Sequence, residues 1–195
     1  MNLKKVGYLT LALLAVTHLV QANPERPNVV FFLVDDFGWG ALSSSGSKFH
    51  ETPNIDKLAA SGMSFTNGYA ACTVCSPSRA AILTGCYPGR THLTDWIDGH
   101  KRPFAKLLVP DWNMKMEHER ILLPEALKEL GYATSFIGKW HLLPINEKEL
   151  MKDHFPESHG FDQNIGGREW GNPREEDSTF IPLTCLMSPA RKATI

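Results

Sequence analysis

The stretch that most constrains the fold is the apolar run at residues 29–34, Val-Val-Phe-Phe-Leu-Val, which ends on Asp35-Asp36 and a Gly38-Trp39-Gly40 turn. The run has no alternation of polar and apolar side chains. That is the pattern of a strand buried on both faces, as in a parallel sheet covered by helices. "YATSFIG", residues 132–138, predicts a second buried strand. Between them, "TPNIDKLAASG" places Ile55, Leu58 and Ala59 on one helical face, with Gly62 as the stop. "SPSRAAILTG" predicts a helix with Ser76 as N-cap, Pro77 at the first helical position and Gly85 at the end. "LPEALKELG" predicts a third helix, with Pro124 near its start and Gly131 after its end. Strands separated by helices give an α/β fold with a largely parallel sheet flanked by helices.

The 195 residues correspond to one domain or part of a larger one. A net charge of -1, with no long basic run, gives no general attraction to nucleic acid or to acidic membranes. At the N-terminus, Lys4 and Lys5 precede an apolar run at 6–16, and Val20 and Ala22 stand at the −3 and −1 positions of a cleavage site. This is a signal-peptide layout over residues 1–22, too short in its apolar part to span a bilayer comfortably. The expected mature chain begins near Asn23, has no membrane span and is exported, to a periplasm or to the medium. Export makes Cys72, Cys75, Cys86 and Cys185 candidates for oxidation, and a Cys72–Cys86 bridge is compatible with the spacing. Four cysteines are too few for a disulfide-built scaffold.

Three places carry candidate chemistry. Asp35 and Asp36 follow the first predicted strand, where ligands of open α/β sheets bind. Adjacent carboxylates repel unless a cation or proton intervenes, so the pair reads as a Ca²⁺ or Mg²⁺ site or as a solvated acidic turn. At the second place, Cys75 lies just before the N-terminus of the predicted helix, where free N–H groups and the dipole favour an anion. Arg79, one turn on, can aim at the same anion. This suits a reactive group beside a tetrahedral oxyanion. The competing reading is a Cys72-Thr73-Val74-Cys75 redox pair, but here the second cysteine opens the helix. No second cysteine or histidine pair at zinc-finger spacing accompanies it. At the third place, "GKWHL", Lys139 and His141 fall two apart at the end of a strand and point to one face of an extended chain. A cation and an imidazole there suit an anionic substrate and a departing alkoxide, or else they are unrelated strand-end charges.

Taken together these residues resemble the type I sulfatases. Cys75-Ser76-Pro77-Ser78-Arg79 followed by "AAILTG" resembles the family signature. "PNVVFFLVDDFGWG" resembles its first strand and metal pair, and "LPEALKELGYATSFIGKWHL" its next helix and strand. The resemblance covers about residues 27–142 and implies an alkaline-phosphatase-like α/β fold and sulfuric ester hydrolysis. It implies that a separate maturation enzyme converts Cys75 to Cα-formylglycine. One hydroxyl of the hydrated aldehyde attacks sulfur and expels the alcohol. The other hydroxyl then drives release of sulfate and restores the aldehyde. It further implies Asp35, Asp36 and modified Cys75 as metal ligands, usually for calcium. Arg79 is implied to hold the formylglycine, with Lys139 and His141 against sulfate or the second hydroxyl. The substrate would be a sulfated small molecule or polysaccharide. A phosphonate or phosphodiester hydrolase of the same superfamily, and an inactive exported binding module, are the alternatives.

The resemblance is to the N-terminal part of the family. Its later Asp-Asn metal pair and its further lysine and histidine have no counterpart here, and Ala41 replaces a frequent acidic residue. Residues 23–167 are therefore expected to be the first part of a sulfatase catalytic domain, with 168–195 a tail of unassigned fold. The expected sheet is incomplete. Calcium takes about six to eight oxygens, so a chain confined to these residues is expected to show weak activity or none.

Overall fold

The computed structural model describes residues 26–99, 103–145 and 148–168. They fall into two compact units, one ending at Pro53 and the other beginning at Asn54. The predicted signal peptide and nearly all of the predicted tail lie outside the described residues.

In the first unit, the strand expected at residues 29–34 is not formed. Its six side chains are 43% to 83% exposed. The reason is partnership. An all-apolar strand is stable only with strands beside it and layers on both faces, and among the described residues none pairs with it. After Asp35 the chain turns, with Asp36 in the left-handed region at φ 54. A single 3₁₀ turn, Ser43–Ser45, ends at Gly46 (φ 96). Ser43 N–H donates to Thr52 Oγ1 at 2.9 Å and Thr52 N–H to Ser43 Oγ at 3.1 Å, which fastens the two ends of this loop.

Helix α1 (Pro53–Ser61) begins at the unit boundary. In the second unit follow α2 (Cys75–Thr84), α3 (Pro88–Thr91) and α4 (Leu123–Glu129). Strand β1 (Ser135–Ile137) precedes α5 (Lys148–Met151), two 3₁₀ turns (Lys152–His154 and Pro156–His159) and β2 (Gln163–Ile165). The sheet is parallel, with Ser135 opposite Gln163 and Ile137 opposite Ile165. Proline and glycine punctuate these elements as the sequence indicates: Pro124 lies in the first turn of α4, and Gly85 closes α2 in the left-handed region at φ 66. The α2 start differs by two residues. Val74 is the N-cap and makes no side-chain cap bond. Ser76, expected there, is fully buried inside the helix, and its Oγ accepts the Ile97 N–H at 3.1 Å.

Ala80 of α2 packs into a core with Leu93, Ile97, Met116, Leu122, Trp140, Leu142 and Leu143. Full burial of a Leu or Ile side chain contributes about 1.5–3 kcal/mol. On one side, Trp140 meets Phe136 and Phe161 edge-to-face at 5.1 and 6.2 Å, and its Nε1–H donates to the His154 carbonyl at 2.9 Å. Gly160 (φ +93) is pressed against α4: a Cβ there would stand 2.4 Å from Glu125 Cγ and 2.8 Å from Glu125 N. Glu125 is itself engaged, its Oε2 accepting the Leu122 N–H at 2.7 Å.

Two predictions follow from this packing. Gly160→Ala adds a backbone cost of about 1–3 kcal/mol at positive φ to a direct clash, so a drop in the urea midpoint is expected, and an unchanged midpoint would contradict the contact. The second concerns His159, whose pKa is lowered from 6.5 to about 3 by burial first and then by His118 and His154. His154 is lowered as well, by burial, then by His118 and Lys115, against the opposing pull of the Met116 carbonyl and Glu117. Both groups take up protons more readily when unfolded. Stability in metal-free buffer is therefore complete above the unfolded pKa of 6.5 and falls as pH drops from there toward about 3. The slope should shrink in His159→Phe if that variant folds, and in His118→Ala, which removes one of the facing imidazoles.

Candidate active site

Helix α2 is held at its N-terminal turn by its own polar side chains. Cys75 is its first residue, half-buried, with the chain entering extended through Val74 (φ -129, ψ 164). The first-turn N–H groups have no intrahelical acceptor, so this end carries positive potential. Ser78 Oγ donates to the Cys72 carbonyl at 2.8 Å and folds the preceding loop back onto the helix. Arg79 is buried, and its Nη1 donates to the Lys139 carbonyl at 2.5 Å. Ile97 joins two further parts: its N–H donates to Ser76 Oγ at 3.1 Å, and its carbonyl accepts from His141 Nε2 at 2.5 Å. Helix α2, the loop at 95–98 and residues 139–141 therefore converge.

Arg79, Lys139 and His141 are brought together near the α2 start that carries Cys75. The device that places His141 is not the expected strand alternation. His141 has φ 58, outside any extended conformation, and it is buried with Trp96 at a ring-centroid distance of 6.5 Å. Lys139 stays partly exposed. The arrangement ties the Arg79 guanidinium, the Lys139 backbone and the His141 imidazole to the first turns of α2, and a helix N-terminus is a setting for an anion. Cys72, Cys75 and Cys86 are free thiols, so neither the Cys72–Cys86 bridge nor the Cys72–Cys75 redox pair is formed.

Asp35 and Asp36 belong to the first compact unit and are described within it alone. Both carboxylates are exposed in one turn. Their all-oxygen donor set is chemically suited to a hard cation such as calcium. A cavity of about 520 Å³, lined by Val109, Trp112, Met114, Lys115, Glu117 and Pro144 among others, includes none of Cys75, Arg79, Lys139 or His141.

A sequence profile of the Sulfatase family matches residues 27–184. The chain belongs to the sulfatase family. N-acetylgalactosamine-6-sulfatase of Sus scrofa is 42% identical over 160 residues, which are 82% of this chain and 29% of that protein. The crystal structure of Ps i-CgsB, also solved in complex with k-i-k-neocarrahexaose, matches with a TM-score of 0.57 at 32% identity over 73% of this chain and 29% of that one. The phosphonate monoester hydrolase of Agrobacterium radiobacter, at 24% identity and a TM-score of 0.53 over 71% of this chain and 25% of that one, shares the fold. The chain thus spans about 29% of the length of the sulfatase relatives it matches. The α/β, sulfatase-like architecture is that of these structures, in incomplete form.

Two sets of residues escape a reading of the sequence. The Ile97 link has no motif, because backbone groups of an apolar residue do the bonding. His118, His154 and His159 also come together, and no familiar spacing announces them.

The buried Arg79 contact predicts an asymmetry between two similar substitutions. Arg79→Lys is expected to lower unfolding free energy by about 1.5–3 kcal/mol, because a buried carbonyl loses a charge-assisted bond. The exposed Arg90→Lys is expected to stay within about 0.5 kcal/mol. Urea titrations of the two variants measure both, and equal midpoints would contradict the contact.

Proposed function

We propose that this chain carries the nucleophile side of a sulfuric ester hydrolase active site. What supports the reading is the convergence of Arg79, Lys139 and His141 on the helix that begins with Cys75, in a member of the sulfatase family. In this reading a maturation enzyme converts Cys75 to Cα-formylglycine, whose hydrated aldehyde supplies the attacking hydroxyl. Arg79 is a positioning residue: fixed through the Lys139 carbonyl, it holds residue 75 and the segment carrying Lys139 in one register. The Lys139 ammonium, partly exposed, binds a sulfate oxygen and favours the build-up of negative charge at the ester. His141, its ring fixed through Ile97, hydrogen-bonds sulfate or the second hydroxyl of the hydrate.

Asp35, Asp36 and modified residue 75 are the proposed metal ligands, with calcium favoured over magnesium for an oxygen set on a flexible turn. When bound, the cation neutralises sulfate charge. Residues 1–22 are proposed as a signal peptide and 23–167 as the first part of the catalytic domain, whose family match continues to residue 184. Among the described residues no helix is long and apolar enough to cross a membrane. With export to a periplasm or the medium, and with relatives named for N-acetylgalactosamine-6-sulfate or solved with a carrageenan oligosaccharide, a sulfated carbohydrate is the proposed substrate class.

The test is production of the protein with a formylglycine-generating enzyme. The peptide containing residue 75 is expected to lose the mass that replacing CH₂SH by CHO requires. Such turnover as the chain shows, weak beside that of full-length relatives, should be faster on an aryl sulfate than on a phosphodiester with the same leaving group, and chelation of calcium should slow it. Cys75→Ala should lower turnover by about 10³-fold or more. Faster phosphodiester cleavage would move the reading to phosphoryl transfer, and an unmodified Cys75 in an inactive protein would overturn it.

A further inference from the structure

Trp140 stands between Lys139 and His141 in sequence, yet its ring faces other neighbours: Phe136, Phe161 and, at 5.7 Å between centroids, His159. Beyond it lie three imidazoles drawn from separate parts of the chain. His118 comes from the segment before α4, His154 ends the first 3₁₀ turn after α5, and His159 ends the second. Each offers a ring nitrogen, and these atoms all lie within 4.8 Å of one another.

The state of each ring points to a missing occupant. His154 and the Met116 carbonyl are 2.9 Å apart at Nδ1. A carbonyl only accepts, so Nδ1 is the protonated nitrogen and Nε2 keeps its lone pair. This is the outer bond that metal-bound histidines make: one nitrogen donates to a backbone carbonyl and the other faces the ion. His159 is 1% exposed, and its Nε2 has no hydrogen-bond partner. A buried polar nitrogen left unsatisfied costs about 1–3 kcal/mol, and such atoms are uncommon unless an ion or water belongs there. His118 is exposed, which leaves a route in from solvent.

We infer that His118, His154 and His159 form a site for a borderline divalent transition metal such as Zn²⁺, separate from the oxygen-ligand site proposed at Asp35 and Asp36. Three neutral nitrogen donors without a carboxylate suit zinc, copper or nickel and offer little to calcium or magnesium. Three histidines also leave the fourth tetrahedral position for water.

The ring geometry says which ligand moves. His118 stacks on His159 at 4.6 Å and 12° and on His154 at 4.8 Å and 23°. A metal lies in the plane of the imidazole that binds it, so parallel stacked rings cannot both aim at one ion. His154 is fixed by Met116 and His159 by burial. The exposed His118 is the ring that turns edge-on when the ion enters.

The experiment is competition of the purified chain with a chromophoric chelator for Zn²⁺, followed by Co²⁺ substitution. One equivalent of Zn²⁺ should bind, and millimolar Ca²⁺ should not displace it. The Co²⁺ complex should show tetrahedral d–d bands without thiolate charge transfer, since Cys72, Cys75 and Cys86 take no part. His118→Ala alters an exposed side chain and should keep the wild-type circular dichroism. Its Zn²⁺ affinity should fall by more than the about 10–100-fold that losing an outer partner costs. The Asp35→Asn, Asp36→Asn double variant should bind Zn²⁺ as wild type does, whatever becomes of sulfate hydrolysis. Absence of saturable binding, equal affinity in His118→Ala, or a thiolate band in the Co²⁺ spectrum would overturn the assignment.

Discussion

The bond from the Arg79 guanidinium to the Lys139 carbonyl is the constraint on which the rest of the second unit depends. It joins residues 60 apart in sequence, in the interior, at the one helix turn where Cys75 is displayed. A helix fixes its own residues relative to its axis and nothing else. The relation between that axis and the segment after β1 has to come from a tertiary contact. Here the contact is a permanent cation donating to a backbone acceptor, a pairing about twice as strong as a neutral one. A lysine offers a single strongly hydrated point charge where the guanidinium offers a weakly hydrated planar fork, so burial favours arginine. The Ser76–Ile97–His141 chain runs beside it and removes the remaining freedom to rotate.

Strain sits where the chemistry is proposed. Asp36 and His141 are two of the three non-glycine residues with positive φ among those described. Such a conformation costs about 1–3 kcal/mol and persists only when the surroundings over-determine it. For His141 the surroundings are explicit. Trp140, Leu142 and Leu143 are buried around it, its ring is bound to Ile97, and the next carbonyl, that of Leu142, accepts from Met116 N–H at 2.8 Å. The core that stabilises the second unit is thus also what holds an unfavourable backbone conformation at a residue aimed toward the α2 turn.

Helices α1, α2 and α4 and strand β1 were legible in the sequence because their signals are local: a proline or glycine at each end and an apolar period between. The burial expected of β1 is not found: Ser135 and Ile137 are exposed and Phe136 is half-buried. The run at 29–34 was legible as strand-forming but not as unpaired, since pairing is a property of other segments. The start of α2 moved by two residues, and the Ser76 hydroxyl bonds Ile97 instead of capping its own helix. Cys75, Arg79, Lys139 and His141 could be picked out by residue type and order. How Lys139 and His141 are held could not, because strand alternation does not apply to a residue in the left-handed region. The three histidines were illegible for a plainer reason: His118 is distant in sequence from the other two, and only the fold makes them neighbours.

Trp140 divides two environments of opposite character. On the side of residues 139 and 141 are the Arg79 guanidinium and the N-terminal turns of α2. Both favour an anionic ester. On the side its indole faces are aromatic rings and imidazole nitrogens, with the His154 carbonyl bound to its Nε1–H. Hard and borderline ions sort between such sites by donor type more than by raw affinity. A zinc ion held by imidazoles would tie the two 3₁₀ turns to the segment before α4, and the second of these turns is followed by β2, the partner of β1. The register of β1 against β2 sets where residues 139–141 leave the sheet. Metal on the histidine side would therefore stiffen the frame from which Lys139 and His141 are presented, without sharing a ligand with the site they serve.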